Sequence, residues 1–355
     1  MYEQDVRHPA IEILRRFALG ALLAAVAATS AHAASFDCQA ARSATEQAIC
    51  ASPKLSALDE LMAQTYERAM HALSAEGAAQ LKESQRSWLR FTNRVCAPGK
   101  RRKAQEDVSN ACLERTFTLR VKQLDHAGLR LGPYVFNRID RYQTKAVQAD
   151  DDTGEHPGVV WKHVGYPQID APKTAAAIAW NSAQHRDLAT TDSGEDAEAA
   201  SDEDTDYAIG CIGDRFISLD VSTSEYPHGA AHGTYGFEEH NAVLVPALRK
   251  MAATDIFAAS SDWKARLPEL FWDVYAHRED AIKDMPEIEE AIRQSAADPD
   301  AWLLTPSGLQ ISFSAYQAGC YACSPGPITV PWATLKPMLA TPEFAACKAP
   351  PAAKP

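Results

Sequence analysis

After its first thirty residues the sequence lacks any apolar run long enough to cross a bilayer, which takes about 20 residues. Its one uninterrupted apolar run, Phe17–Ala28, falls short of that. Positive charge is also scarce. Lys and Arg number 35 against 47 Asp and Glu, a net charge of −12. A chain this acidic is a poor partner for nucleic acid or anionic lipid and suits a cationic one. Catalytic signatures are missing too. There is no Gly-x-Ser-x-Gly, no phosphate-binding glycine loop and no His-Glu-x-x-His. No catalytic, cofactor-binding or metal-binding residue is therefore assigned, and a binding protein without a cofactor is expected. A glycosidase needs only two well-placed carboxylates, so a carboxylate-dependent hydrolase stays as an alternative.

What is present begins with an export signal. Arg15 and Arg16 precede the apolar run, and Ala31-His32-Ala33 closes it with a small-x-small site. That order predicts cleavage after Ala33 and a soluble periplasmic protein. Ser35, Phe36 and Asp37 before Cys38 do not fit a lipid-anchored cysteine. The mature part holds all eight cysteines: Cys38, Cys50, Cys96, Cys112, Cys211, Cys320, Cys323 and Cys347. An even count in an exported chain predicts disulfides. Cys38–Cys50 would join a local segment, and Cys96–Cys112 would close a 15-residue loop between antiparallel helices. The other four pairings stay open. Cys320-Tyr321-Ala322-Cys323 has redox spacing, but Ser324-Pro325-Gly326-Pro327 cannot continue as the helix a redox pair opens. A structural bridge, local or to Cys211 or Cys347, is expected.

Residues 38–128 carry helical signals. Ser43 to Glu46 has the form of a capping box, and Ser52-Pro53 that of an N-cap with proline at the first helical position. Leu55, Leu58, Leu61, Met62, Tyr66, Ala69, Met70 and Leu73 then recur at helical spacing. Leu81, Trp88 and Leu89 mark a third helix, with Trp88 in the core. Lys100–Asn110 reads as a loop, and a fourth helix runs through Cys112, Phe117 and Leu124. Beyond Gly132, β-rich runs at 158–164, 207–222, 241–245, 310–316 and 327–330 alternate with helical patterns at 174–189, 263–278 and 287–297. The expected fold is multidomain: an all-α disulfide-linked helical domain (34–130) followed by an α+β domain (131–345). Asp192–Asp206 holds eight acids and no base and reads as a solvated loop. Residues 346–355 read as a disordered tail.

Phe36-Asp37-Cys38, Glu46-Gln47-Ala48-Ile49-Cys50, Leu58-Asp59, Tyr66, Gln85-Arg86-Ser87-Trp88-Leu89, Cys96, Cys112 and Arg120 together resemble the LprI-type lysozyme-inhibitor domain. Val164-Gly165-Tyr166-Pro167, Asp214-Arg215-Phe216-Ile217-Ser218, Tyr226-Pro227-His228-Gly229-Ala230-Ala231-His232-Gly233, Thr305-Pro306-Ser307-Gly308-Leu309 and Ile328 through Pro337 resemble the carboxy-terminal domain shared by the anti-sigma factor RsiV and the deacetylase PdaC. Both resemblances imply envelope proteins, and each family has a lysozyme-binding member. Neither domain is itself an enzyme. The implied function is inhibition of a cationic lysozyme or other peptidoglycan hydrolase by occlusion. An envelope-stress or wall-associated module that binds without inhibiting is the alternative.

One segment stands out as a candidate partner-binding loop: Tyr226, His228, His232 and Tyr235, where aromatics could anchor an interface. Two histidines four apart could share a metal on a helix. Pro227, Gly229 and Gly233 make a loop the better reading.

Overall fold

The computed structural model describes residues 34–96, 105–147, 158–189 and 201–350. The expected export signal, the first part of the acidic segment and residues 351–355 lie outside the described residues. The described residues fall into two compact units, divided between Glu60 and Leu61.

In the smaller unit, helix α1 (Ala44–Ala51) starts at a complete capping box. Glu46 N–H donates to Ser43 Oγ at 3.1 Å, and Glu46 Oε2 accepts from Ser43 N–H at 2.8 Å. Cys38–Cys50 ties the segment before α1 to its end. Ser35 N–H and Oγ both donate to Asp59 Oδ2, at 2.8 and 2.6 Å. Helix α2 (Pro53–Ala72), whose first eight residues belong to this unit and the rest to the larger one, opens with Ser52 Oγ accepting from Leu55 N–H at 3.3 Å.

The larger unit contains helices α3 (Ala75–Val95) and α4 (Gln105–Asp125). Trp88 of α3 is buried edge-on against Phe117 of α4, with ring centroids 5.0 Å apart. Cys96–Cys112 joins the two helices, and Ser109 Oγ donates to Cys96 O at 2.6 Å. The loop expected through Asn110 is shorter than the sequence suggests, because α4 already begins at Gln105.

A seven-stranded sheet follows in the order β1-β2-β3-β4-β5-β6-β7. The strands are β1 (Leu129–Leu131), β2 (Tyr134–Ala146), β3 (Val159–Ala171), β4 (Ser201–Ile212), β5 (Phe216–Pro227), β6 (Thr234–Val243) and β7 (Arg249–Lys250). All neighbours are antiparallel except β3 and β4. Those two are parallel and are joined through helix α5 (Ala175–Ala189), as a parallel pair requires a crossover. Trp180 of α5 packs with Phe136, Ile169, Ile217 and Leu219 on one face of the sheet.

Strand β1 pairs only with residues 134–136 of β2. Beyond them α3 covers the free edge, because its residues 77, 80, 84 and 87 fall on one helical face. Asn137 Nδ2 donates to Gly77 O (3.1 Å) and Gln80 Oε1 (3.2 Å). Asp140 N–H donates to Ser84 Oγ at 3.1 Å, and Tyr142 N–H to Ser87 Oγ at 3.2 Å. A Cβ at Gly77 would stand 2.5 Å from Asp170 Oδ1, so this close approach requires glycine.

A second sheet, β10-β9-β8, is formed by β8 (Leu303–Leu304), β9 (Gly308–Ile311) and β10 (Ile328–Pro331). With helices α6 (Trp263–Ala276) and α7 (Pro286–Ala297) it surrounds a core that includes Phe257, Trp263, Phe271, Ile292 and Trp302.

The architecture is a helical, disulfide-bearing N-terminal region followed by a mixed sheet and helix domain. Three further local expectations need correction. The run 207–222 is two strands, turned at Gly213–Arg215 where Gly213 N–H donates to Phe216 O. Of the acidic segment, Ser201–Asp206 is not a solvated loop but the start of β4, and its acids meet cations from distant strands. The tail is anchored at its beginning. Cys347 bridges Cys211, and Lys348 exchanges both backbone bonds with Ile212 (2.8 and 2.9 Å).

Candidate functional site

The four residues of the expected partner loop divide between two places. After β5 the chain turns through Gly229, whose φ is +86°, and Tyr226 OH closes the turn by donating to Ala230 O at 3.2 Å. His228 folds inward. Its side chain is 1% exposed, with Nε2 3.3 Å from Asp202 Oδ2 of β4, so it is not a partner-facing residue. His232 turns outward and stacks on Tyr321 at 4.1 Å. Its Nδ1 lies 2.9 Å from Gly233 O and its Nε2 3.2 Å from Tyr316 OH. Tyr235 stands edge-on to Tyr321 at 5.8 Å. The two histidines thus have different neighbours. No group of three or more metal-capable side chains occurs among the described residues.

His232, Tyr235, Tyr316 and Tyr321 therefore make one aromatic platform, half of which the sequence reading missed. Tyr316 is 51% exposed and sits at φ +65°, a left-handed conformation that is strained for a tyrosine. It is held there by Gly319 N–H donating to Tyr316 O (3.2 Å) and by Ala315 N–H donating to Tyr235 O (2.8 Å). Cys320–Cys323 bridges locally across Tyr321 and opens only a single 3-10 turn. The usable signal was the pair of tyrosines flanking Gly319-Cys320.

A buried ionic network lies between α4 and strands β2, β3 and β4. Asp140 accepts from Arg120 Nη1 (2.6 Å) and Arg138 Nε (2.8 Å). Arg138 Nη2 also donates to Asp206 Oδ1 at 2.7 Å. His163 lies between Asp140 (3.1 Å) and Asp204 (2.6 Å) and stacks on Tyr142 at 4.4 Å. Burial alone would raise the Asp140 carboxyl, but the two guanidiniums hold it far below the usual range. Burial would lower His163, yet its bonds to Asp140 and Asp204 push it up to about 9. Three cations, with His163 protonated, thus meet three anions. Such a network fixes geometry more than it adds stability.

Strands β5 and β6 place Asp220 directly opposite Glu239. One oxygen of each is buried without a partner. Burial raises Asp220 to about 6. Burial, followed by the charge of Asp220, raises Glu239 to about 8. Glu239 lines a cleft of about 710 Å³ with Phe237, His240 and Asn241.

Residues 38–124 match the family described as lysozyme inhibitor LprI. The match covers the capping box of α1, the edge-covering serines of α3, and Arg120. No curated protein matches the chain. Among solved structures, a member of the DUF3298 family from Bacteroides fragilis NCTC 9343 aligns at 17% identity and a TM-score of 0.39. It covers 60% of this chain and 99% of its own. A DUF3298 family protein from Pseudomonas aeruginosa PAO1 aligns at 13% identity and a TM-score of 0.39, covering 60% and 97%. No helix of the described residues is long and apolar enough to cross a membrane.

Proposed function

We propose that this chain is an exported periplasmic binding protein that engages a cationic lysozyme or related peptidoglycan hydrolase and blocks its cleft without chemistry. The observation that carries this reading is the match of residues 38–124 to the lysozyme inhibitor LprI family. Four disulfides favour an oxidising compartment, and the net charge of −12 favours encounter with a cationic partner. We also propose that residues 34–130 and 131–345 correspond to the LprI-like and RsiV/PdaC-like segments. The aromatic platform of His232, Tyr235, Tyr316 and Tyr321 supplies contact area at low entropy cost, as aromatic hot spots do.

Surface plasmon resonance against several lysozyme classes at two salt concentrations tests the reading, alongside a cell-wall turbidity assay. Binding with loss of lytic activity is expected. Association should slow as salt shortens the Debye length from about 10 Å at 0.1 M to about 3 Å at 1 M. Absence of binding at micromolar concentration to every class would refute it. Binding without inhibition would favour a wall-associated module.

A further inference from the structure

Helix α3, strands β2 and β3 and helix α5 enclose a cleft of about 740 Å³, within the range of small-ligand sites, roughly 300–1,000 Å³. The acids in its wall are already engaged. Glu76 pairs with Lys173. Glu83 pairs with Arg90 and Arg86. Asp170 accepts from Ser74 N–H and Oγ at 2.7 and 2.5 Å, and Asp140 belongs to the buried network.

Arg141 differs. Among the described residues its guanidinium meets no carboxylate. It lies 5.8 Å over the ring of Tyr166, and its Nη2 is 3.3 Å from His185 Nε2. The His185 ring stacks on the same tyrosine at 6.0 Å. A guanidinium only donates, so His185 Nε2 is the acceptor of that contact and its proton sits on Nδ1. The remaining Arg141 N–H groups and His185 Nδ1–H make this wall rich in donors. A planar carboxylate is the complement of such a fork. Beside it Ile178 is 56% exposed, and Ile139, Ile169 and Ala177 continue the lining. A donor fork next to a small apolar wall suits a carboxylate attached to short apolar side chains.

We propose that this cleft binds the free C-terminal carboxylate of a short apolar peptide, with Arg141 as its ion partner and Ile178 against its side chain. The inference does not rest on hydrolase binding and stands or falls separately from it.

The test uses the full oxidised chain, ¹⁵N-labelled, titrated with three probes to millimolar concentration: acetyl-Ala-Ala, its C-terminal amide, and acetyl-Glu-amide. Acetyl-Ala-Ala should shift the amides of Tyr166, Gln168 and Ala177–His185. The amide should bind about tenfold more weakly or worse, the loss expected for one charge-assisted contact. Arg141→Gln should weaken acetyl-Ala-Ala by a similar factor, and Arg141→Lys should retain part of the affinity. Because Arg141 is exposed, both variants should keep the wild-type spectrum. Should either misfold, the probe comparison on the wild type decides. Equal binding of acid and amide, or no shift with any probe, would overturn the proposal. So would an unaffected Arg141→Gln variant. Equal binding of acetyl-Glu-amide would overturn the assignment to a peptide terminus.

Discussion

Raising the pH through the range where His163 loses its proton should weaken the fold measurably. In the folded chain its pKa is about 9, against 6.5 for the free side chain. Below pH 6.5 both states hold the proton and the full stabilisation is present. Between 6.5 and 9 the unfolded state has released it, and about 1.4 kcal/mol is lost per pH step of one. Above 9 the contribution is gone. The interval amounts to about 3 kcal/mol. No discount for solvent applies, because the ring is 2% exposed. The assay is urea unfolding of the oxidised protein at pH 6 through 10, for wild type and His163→Gln. Asp220 and Glu239 also destabilise the fold as they ionise, but they do so in both proteins and cancel in the difference. That difference should fall from about 3 kcal/mol at pH 6 toward zero at pH 10. A difference that stays flat, or an imidazole NMR titration centred near 6.5, would refute the reasoning.

Other outcomes follow from the same geometry. Arg120→Ala should cost about 3–5 kcal/mol in urea unfolding at pH 7, because it removes one of the two guanidiniums from the buried Asp140. Glu239→Gln should stabilise the protein at pH 8 by about 1 kcal/mol, after allowing for partial solvent screening, and leave it nearly unchanged at pH 4. The sign follows from a raised acid, whose ionised form penalises the fold as pH climbs from 4.5 toward 8. Tyr321→Ala should weaken lysozyme binding by about 2 kcal/mol with little change in melting temperature, whereas His228→Ala should lower the melting temperature and spare binding. Calorimetry and plasmon resonance on the pair distinguish an anchor from a packing residue.

The helical N-terminal region was legible because its signals are local. The Ser43–Glu46 box, Ser52-Pro53, the leucine spacing of α2 and Trp88 are all recognised within one or two turns. The bridges Cys38–Cys50 and Cys96–Cys112 are close in sequence as well. Strand β2 was missed because it carries Asn137, Arg138, Asp140 and Arg141, which read as surface. Three of those are buried, and their partners lie on α3, α4, β3 and β4. Asp204 and Asp206 misled for the same reason. Their partners His163 and Arg138 are 41 and 68 residues away, beyond any window of periodicity. The aromatic platform was half legible. His232 and Tyr235 stood at and just after a conspicuous Gly-rich turn, while Tyr316 and Tyr321 come some 80 residues later, in the connection between β9 and β10 of the second sheet.

The way α3 lies along β2 bears on how such a protein could be assembled and dissected. A β-strand with its outer amides unsatisfied invites pairing with another chain. Here Ser84 and Ser87 occupy those amides, and Arg120 neutralises the acid beneath them. A sheet expressed without residues 75–125 would present a raw seam and an under-compensated Asp140, a recipe for self-association. The helical segment therefore serves its neighbour as a built-in selvedge. Shuffling it away would demand that its successor bring two hydroxyls and a guanidinium of its own.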